Sequence, residues 1–171
     1  MNKKTYVIWL EFDEEFTSFL DQKCLELEEN QIASWIRPPH MTLTFVKTDD
    51  PERLIECTEK VIRENLEKIT IGSVSQFPGG ILYYAPRVTS KLLKLHSDLC
   101  HSLSEIGELA WDQYCPDNWT PHIALTPKLN VQDATKAFSV MSKDFSTQTV
   151  SVSRILVWAY NDNGEKIYID V

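Results

Sequence analysis

The sequence predicts an α+β protein, and three observations carry that expectation. Segments with period-two alternation, rich in β-branched and aromatic residues, recur along the chain as half-buried strands would. Between them, apolar residues fall at helical spacing behind residues suited to capping. The order helix, loop, strand, helix, two strands then occurs twice. That repetition predicts one domain over residues 1–171 with two pseudo-symmetric lobes, roughly 1–88 and 89–171, each an antiparallel sheet covered by helices. The boundary falls around Arg87 to Ser90, and strands can cross between lobes. No low-complexity segment or flexible linker interrupts the pattern.

Tyr6 to Phe12 alternates and is predicted to be a strand. Asp13 offers an N-cap, with Phe16, Leu20, Lys23/Cys24 and Leu27 behind it to about Asn30. The acidic stretch Glu26 to Glu29 is the wet face of this helix. A loop with Trp35, Arg37, Pro38 and Pro39 leads into a strand from His40 onward. Asp50-Pro51 opens a second helix, cap before proline at the first helical position, with Leu54, Ile55, Thr58, Val61 and Ile62 as its buried face. Ile69 to Gln76 and Ile81 to Arg87 flank Phe77-Pro78-Gly79-Gly80 as a hairpin.

The second half follows the same order. Thr89 or Ser90 caps a long helix that ends near Gly107, its leucine stripe at 92, 95, 99 and 103 turned to the core. A polar loop dotted with Trp111, Tyr114, Cys115, Pro116 and Trp119 precedes a strand headed by His122. Asn130 opens a helix to about Met141. Gln148 to Tyr160 and Lys166 to Asp170 are the last strands, separated by Asn161-Asp162-Asn163-Gly164.

A hydrophobic share of 43% and a charged share of 25% over 171 residues are those of a globular protein with a full core. The net charge of −8 excludes a protein that grips a long nucleic-acid tract by its phosphates, and leaves a small nucleotide or a strand end open. No signal peptide or membrane-spanning run is seen, so a cytoplasmic protein with no membrane partner is expected. Four cysteines without CxxC spacing suit a reducing compartment. His96 and Cys100 would share a helix face, but two ligands do not make a metal site and the leucine stripe accounts for the helix. His96 and His101 are therefore expected at the surface or its boundary.

The chain has four histidines, and two of them head nearly identical segments, Pro39-His40-Met41-Thr42-Leu43-Thr44-Phe45 and Pro121-His122-Ile123-Ala124-Leu125-Thr126-Pro127. Alternation puts His40, Thr42 and Thr44 on one face and Met41, Leu43 and Phe45 on the core side. In the second segment it puts His122, Ala124 and Thr126 on one face and Ile123 and Leu125 on the other.

Two proline-led His-Φ-Thr/Ser-Φ tetrapeptides, with Φ apolar, about half a chain apart, resemble the two-histidine phosphoesterase superfamily and its LigT-like branch of 2′-5′ RNA ligases and RNA 2′,3′-cyclic phosphodiesterases. The resemblance spans most of the chain, including the Trp119 to His122 lead-in and the order of elements. It implies a groove between the lobes, with His40 and His122 as catalytic residues and the hydroxyl two positions after each histidine binding phosphate. His40-Met41-Thr42-Leu43 fits without change. His122-Ile123-Ala124-Leu125 departs, because alanine stands where Thr or Ser is the pattern, and Thr126 or a water is the candidate replacement.

One imidazole to take a proton from the attacking oxygen and one to give a proton to the leaving oxygen suffice to open a 2′,3′-cyclic phosphate near neutral pH. No metal or other cofactor is required by that scheme, and either histidine can take either role. The expected activity is therefore a metal-independent phosphodiesterase acting on cyclic-phosphate RNA ends or on 2′-5′-linked or cyclic oligonucleotides. The alternative is a nucleotide- or RNA-end-binding module weakened by Ala124. Trp119, Tyr83 or Tyr84 can stack a base or sit in the core, and Arg37 can meet a phosphate or stay solvated. Nothing in the sequence demands more than a monomer.

Overall fold

Two antiparallel sheets form the scaffold, and each takes strands from both halves of the chain. The computed structural model of the protein describes residues 3–34, 38–160 and 166–170. In chain order its elements are β1 (Lys4–Phe12), α1 (Glu14–Glu29), β2 (Met41–Thr48), α2 (Pro51–Asn65), β3 (Ile69–Phe77), β4 (Ile81–Pro86) and α3 (Ser90–Ser104). Then follow β5 (Glu108–Ala110), a 3₁₀ turn (Asp112–Tyr114), β6 (Ile123–Ala124), α4 (Val131–Ser142), β7 (Gln148–Val150), β8 (Val152–Ala159) and β9 (Lys166–Asp170). One sheet has the order β5-β2-β1-β8-β9 and the other β6-β4-β3-β7. A cut near residue 88 therefore runs through both sheets. Helix α1 packs on α4 and α2 on α3, pairs that interchange when the two halves of the chain are exchanged.

The caps lie where their chemistry placed them. Asp13, Asp50, Thr89 and Asn130 each accept a backbone N–H from the first turn of the following helix, those of Phe16, Arg53, Leu92 and Asp133. One apolar cluster joins the sheets, with Ile8, Leu10 and Leu43 from the first and Ile71, Leu82 and Tyr84 from the second. The leucine stripe of α3 is buried in it, as its spacing requires.

Gln148 to Tyr160 is two strands and not one. The ladder breaks at Ser151, where the chain leaves the second sheet as β7 and enters the first as β8. Asp13 holds the crossing: its backbone N–H donates to the Ser151 carbonyl at 2.9 Å, and its Oδ2 accepts the Ser151 N–H at 2.7 Å. The same carboxylate caps α1 through Oδ1.

A second departure lies in the first histidine strand. Ile8 pairs with Thr44 and Trp9 with Thr42, so Leu43 is an extra residue in the ladder, a β-bulge. The bulge shifts the phase of everything after it. Thr44 turns away from Thr42 to reach the Tyr114 carbonyl at 3.3 Å. Phe45 leaves Met41 and Leu43 and joins Val7, Trp9 and Leu156 in a separate cluster on the opposite face of the sheet. Period two fails here because one residue breaks it.

Candidate active site

Both histidine motifs open onto one groove between the sheets, with a volume of about 450 Å³. Its described lining is His40 and Thr42 from the first sheet, Phe77, Ile81, His122 and Ala124 from the second, and Gln113, Tyr114, Asn118 and Thr120 from the 3₁₀ turn and the loop before β6. Phe77 and Ile81 flank a tight turn. Gly80 sits at φ +87°, and a Cβ there would lie 2.2 Å from the Leu129 carbonyl oxygen, so only glycine fits.

The two imidazoles are held in the same way. His40 Nδ1 lies 3.0 Å from the Pro38 carbonyl oxygen, and His122 Nδ1 lies 2.7 Å from that of Thr120, in each case two residues back. A carbonyl only accepts, so each Nδ1 carries the proton in the neutral ring and each Nε2 keeps its lone pair for chemistry. The surroundings differ. The Trp9 indole stacks on the His40 ring with centroids 4.0 Å apart and planes 25° apart. The His122 ring instead meets Phe77 edge-on at 4.9 Å and Tyr83 at 5.7 Å.

Burial pushes both imidazoles below their ordinary 6.5. At His40 the Pro38 carbonyl and the Glu11 carboxylate oppose that shift, while His122 adds to it. At His122 only the Thr120 carbonyl opposes it. Glu11 is itself buried and paired with Arg154 at 2.8 Å.

The sequence-predicted residues divide. His40, His122 and Thr42 come together, and Ala124 lies among them. Thr126 is not a groove residue. Its side chain is fully buried, and Oγ1 accepts the Leu82 N–H at 2.9 Å, extending the β6–β4 pairing beyond the end of β6 at Ala124. Trp119 is buried too: its ring stacks on His96 at 4.0 Å with planes 3° apart, and Nε1 donates to the Thr42 carbonyl at 3.1 Å. Tyr83 faces the groove side but lies beneath Phe77, stacked at 4.3 Å. Tyr84 is core, its hydroxyl donating to the Met141 carbonyl. Arg37 and the Asn161 to Gly164 turn lie outside the described residues.

His96 corrects a further expectation. It is buried, with Nε2 placed 3.0 Å from the Leu43 carbonyl oxygen and 3.1 Å from that of Tyr114. A histidine beside a leucine stripe is drawn inward when carbonyls stand ready for its N–H. His101 is exposed, as expected. Sequence reasoning did not single out Gln113, Asn118, Thr120 or the Trp9 stack. The loop's place directly before a histidine motif was the available signal for the first three, and strand pairing alone reveals Trp9.

Two sheets facing each other across paired, similarly tethered histidines are the arrangement that the two-histidine resemblance implies. The model of the 2′-5′ RNA ligase superfamily matches residues 31–164, and the chain belongs to that family. Escherichia coli LigT in apo form is similar in fold, with a TM-score of 0.57 at 11% identity over 100% of this chain and 96% of that one. LigT complexed with 3′-AMP gives 0.58 at 11% over 99% and 95%. A phosphoesterase crystal structure gives 0.56 at 12% over 98% and 95%. Among curated proteins no sequence match is found. Among the described residues, no helix is long and apolar enough to cross a membrane.

Proposed function

We propose that the chain hydrolyses 2′,3′-cyclic phosphates at RNA ends, or 2′-5′-linked or cyclic oligonucleotides, by acid/base catalysis from His40 and His122. The observation that carries this reading is the matched tether of the two rings, which leaves an Nε2 on each side of one groove. In hydrolysis, one neutral imidazole takes a proton from water as its oxygen bonds to phosphorus. The other, as imidazolium, gives its proton to the ribose oxygen whose bond to phosphorus breaks. Two imidazoles complete that proton balance. Thr42 donates to a phosphate oxygen, and Thr120, Gln113 and Asn118 supply further neutral polar groups along the groove. A relative of like fold holds 3′-AMP, which supports a small nucleotide or strand end as the ligand.

Ala124 favours a second reading, a nucleotide-binding module with little turnover. Thr126 cannot supply the missing hydroxyl, since it lies outside the groove. Thr120 is the hydroxyl that does line the groove beside His122, two residues before it.

The deciding experiment incubates the purified protein with EDTA and 2′,3′-cyclic mononucleotides, a cyclic-phosphate-ended RNA, and 2′-5′ and 3′-5′ oligoadenylates, beside the His40→Ala/His122→Ala double variant. Cleavage that the variant loses is the expected result. No cleavage, with nucleotide binding intact, establishes the binding module.

A further inference from the structure

The sheet face that carries Thr42 continues beyond the groove into an aromatic shelf. Phe45, Trp111 and Tyr160 form its surface, with ring centroids 3.9 Å apart for Phe45 and Trp111, 4.8 Å for Trp111 and Tyr160, and 5.7 Å for Phe45 and Tyr160. Tyr114, in the groove wall, joins shelf to groove: its ring lies 6.3 Å from His122, 4.9 Å from Phe45 and 6.5 Å from Trp111. Phe45 is the buried floor, whereas Trp111 and Tyr160 are 40% and 36% exposed.

Trp111 is also strained. Its φ is +65°, in the left-handed region that a bulky side chain disfavours. The ring packs on Phe45 and Tyr160 yet stays 40% exposed, so part of its surface is left open to a partner. A disfavoured backbone that presents an aromatic ring to solvent is a feature of ligand clamps.

We propose that Trp111, with Tyr160 beside it, stacks a nucleobase of a single strand whose terminal phosphate lies between His40 and His122. The preferred ligand is then an oligonucleotide end and not a mononucleotide. This rests on the groove being the phosphate site. Continuity through Tyr114 places the shelf a short span of ring contacts from the histidines. The chemistry fits the chain's charge as well: at −8 it is poorly suited to gather a strand by its phosphates, whereas stacking needs only the π face that every base has.

The test is equilibrium binding of three ligands at fixed salt: a trinucleotide with a 3′-phosphate, the same trinucleotide abasic at its two upstream positions, and the 3′-mononucleotide. The native protein is expected to bind the intact trinucleotide about ten- to a hundredfold tighter than either other ligand, the range that stacking on aromatic side chains supplies. Trp111→Ala should bring the trinucleotide to the affinity of its abasic form, and Trp111→Phe should keep most of the preference. Equal affinity of the native protein for intact and abasic trinucleotides overturns the shelf without recourse to any variant, and so does a preference that survives Trp111→Ala. Turnover, assayed separately, keeps the two readings apart. Base preference without turnover removes hydrolysis alone, and turnover without base preference removes the shelf alone.

Discussion

Trp119 Nε1 donates to the Thr42 carbonyl oxygen at 3.1 Å, so the lead-in of the second histidine motif is tied to the strand of the first. The same indole stacks on His96, whose Nε2–H is shared between the carbonyls of Leu43 and Tyr114. Trp119 and His96 thus fasten together the bulged strand and the loop that lines the groove. Trp119→Phe keeps a ring on His96 but leaves the Thr42 carbonyl without its indole donor. A loss of about 1–3 kcal/mol in urea unfolding is expected, the cost of a buried group left unsatisfied. A lower kcat should accompany it.

In the proposed hydrolysis, replacement of either imidazole removes one half of the proton transfer. His40→Ala and His122→Ala are each expected to lower kcat by about 10²- to 10⁴-fold while product still binds. Single-turnover kinetics and product titration check the two parts. A variant with unaltered kcat would remove that histidine from the chemistry.

The hydroxyls around the proposed phosphate site can be ranked by exchange. Thr42→Val should cost on the order of 10²-fold in kcat, as loss of one preorganised donor does. Thr120→Val should also lower the rate, and Ala124→Thr should raise it, because Thr126 is committed to the Leu82 N–H. An unchanged rate in Ala124→Thr would mean that the groove already has all the donors it uses.

Both groove histidines titrate below 6.5 in the free protein, from burial first. The pH profile of kcat/KM reports the free enzyme, and one ring must be protonated while the other is not. Its optimum is therefore expected on the acid side of 6.5. The two limbs belong to the pair, since His122 acts on His40. An optimum well above 7 would contradict this.

His96 gives a separate pH dependence, in stability. Burial lowers its folded-state value from 6.5, against the Leu43 and Tyr114 carbonyls. The unfolded chain then binds more protons than the folded one, and stability rises with pH across that interval. The contribution is full above about 6.5 and is lost as pH falls through the lower folded value. His96→Gln should flatten this part of a plot of melting temperature against pH.

Asp13 has two tasks, the cap of α1 and the grip on Ser151 where the chain changes sheets. Asp13→Ala should cost about 2 kcal/mol or more, above the roughly 1 kcal/mol of an ordinary cap. Asp13→Asn should restore the cap but not the side-chain bond to Ser151, because its Nδ2 would meet the Ser151 N–H donor to donor. Chemical denaturation of the three proteins checks the order.

The four helix starts were legible because each rests on a local bond between a cap side chain and a backbone N–H three residues on. The histidine pair was legible because a short motif occurs twice in matching contexts. The failures share a different cause. Thr44 and Phe45 moved because one extra residue, Leu43, shifted the ladder, and its position depends on the pairing with β1. The break at Ser151 depends on Asp13, far away in sequence. Trp119 and Thr126 have the polarity of groove residues, yet both are used up by partners on other strands.

The sequence by itself therefore determined the four helices, the strands of the first half, the paired histidines and the missing hydroxyl at Ala124, all of which rest on patterns within a few residues. Only the tertiary structure decided which hydroxyls and rings face the groove. A side chain's free valence is known only after every distant strand has taken its hydrogen bonds, and by then Thr42 still faces the groove, Thr126 and Trp119 are engaged elsewhere, and Trp111 stands exposed beside it.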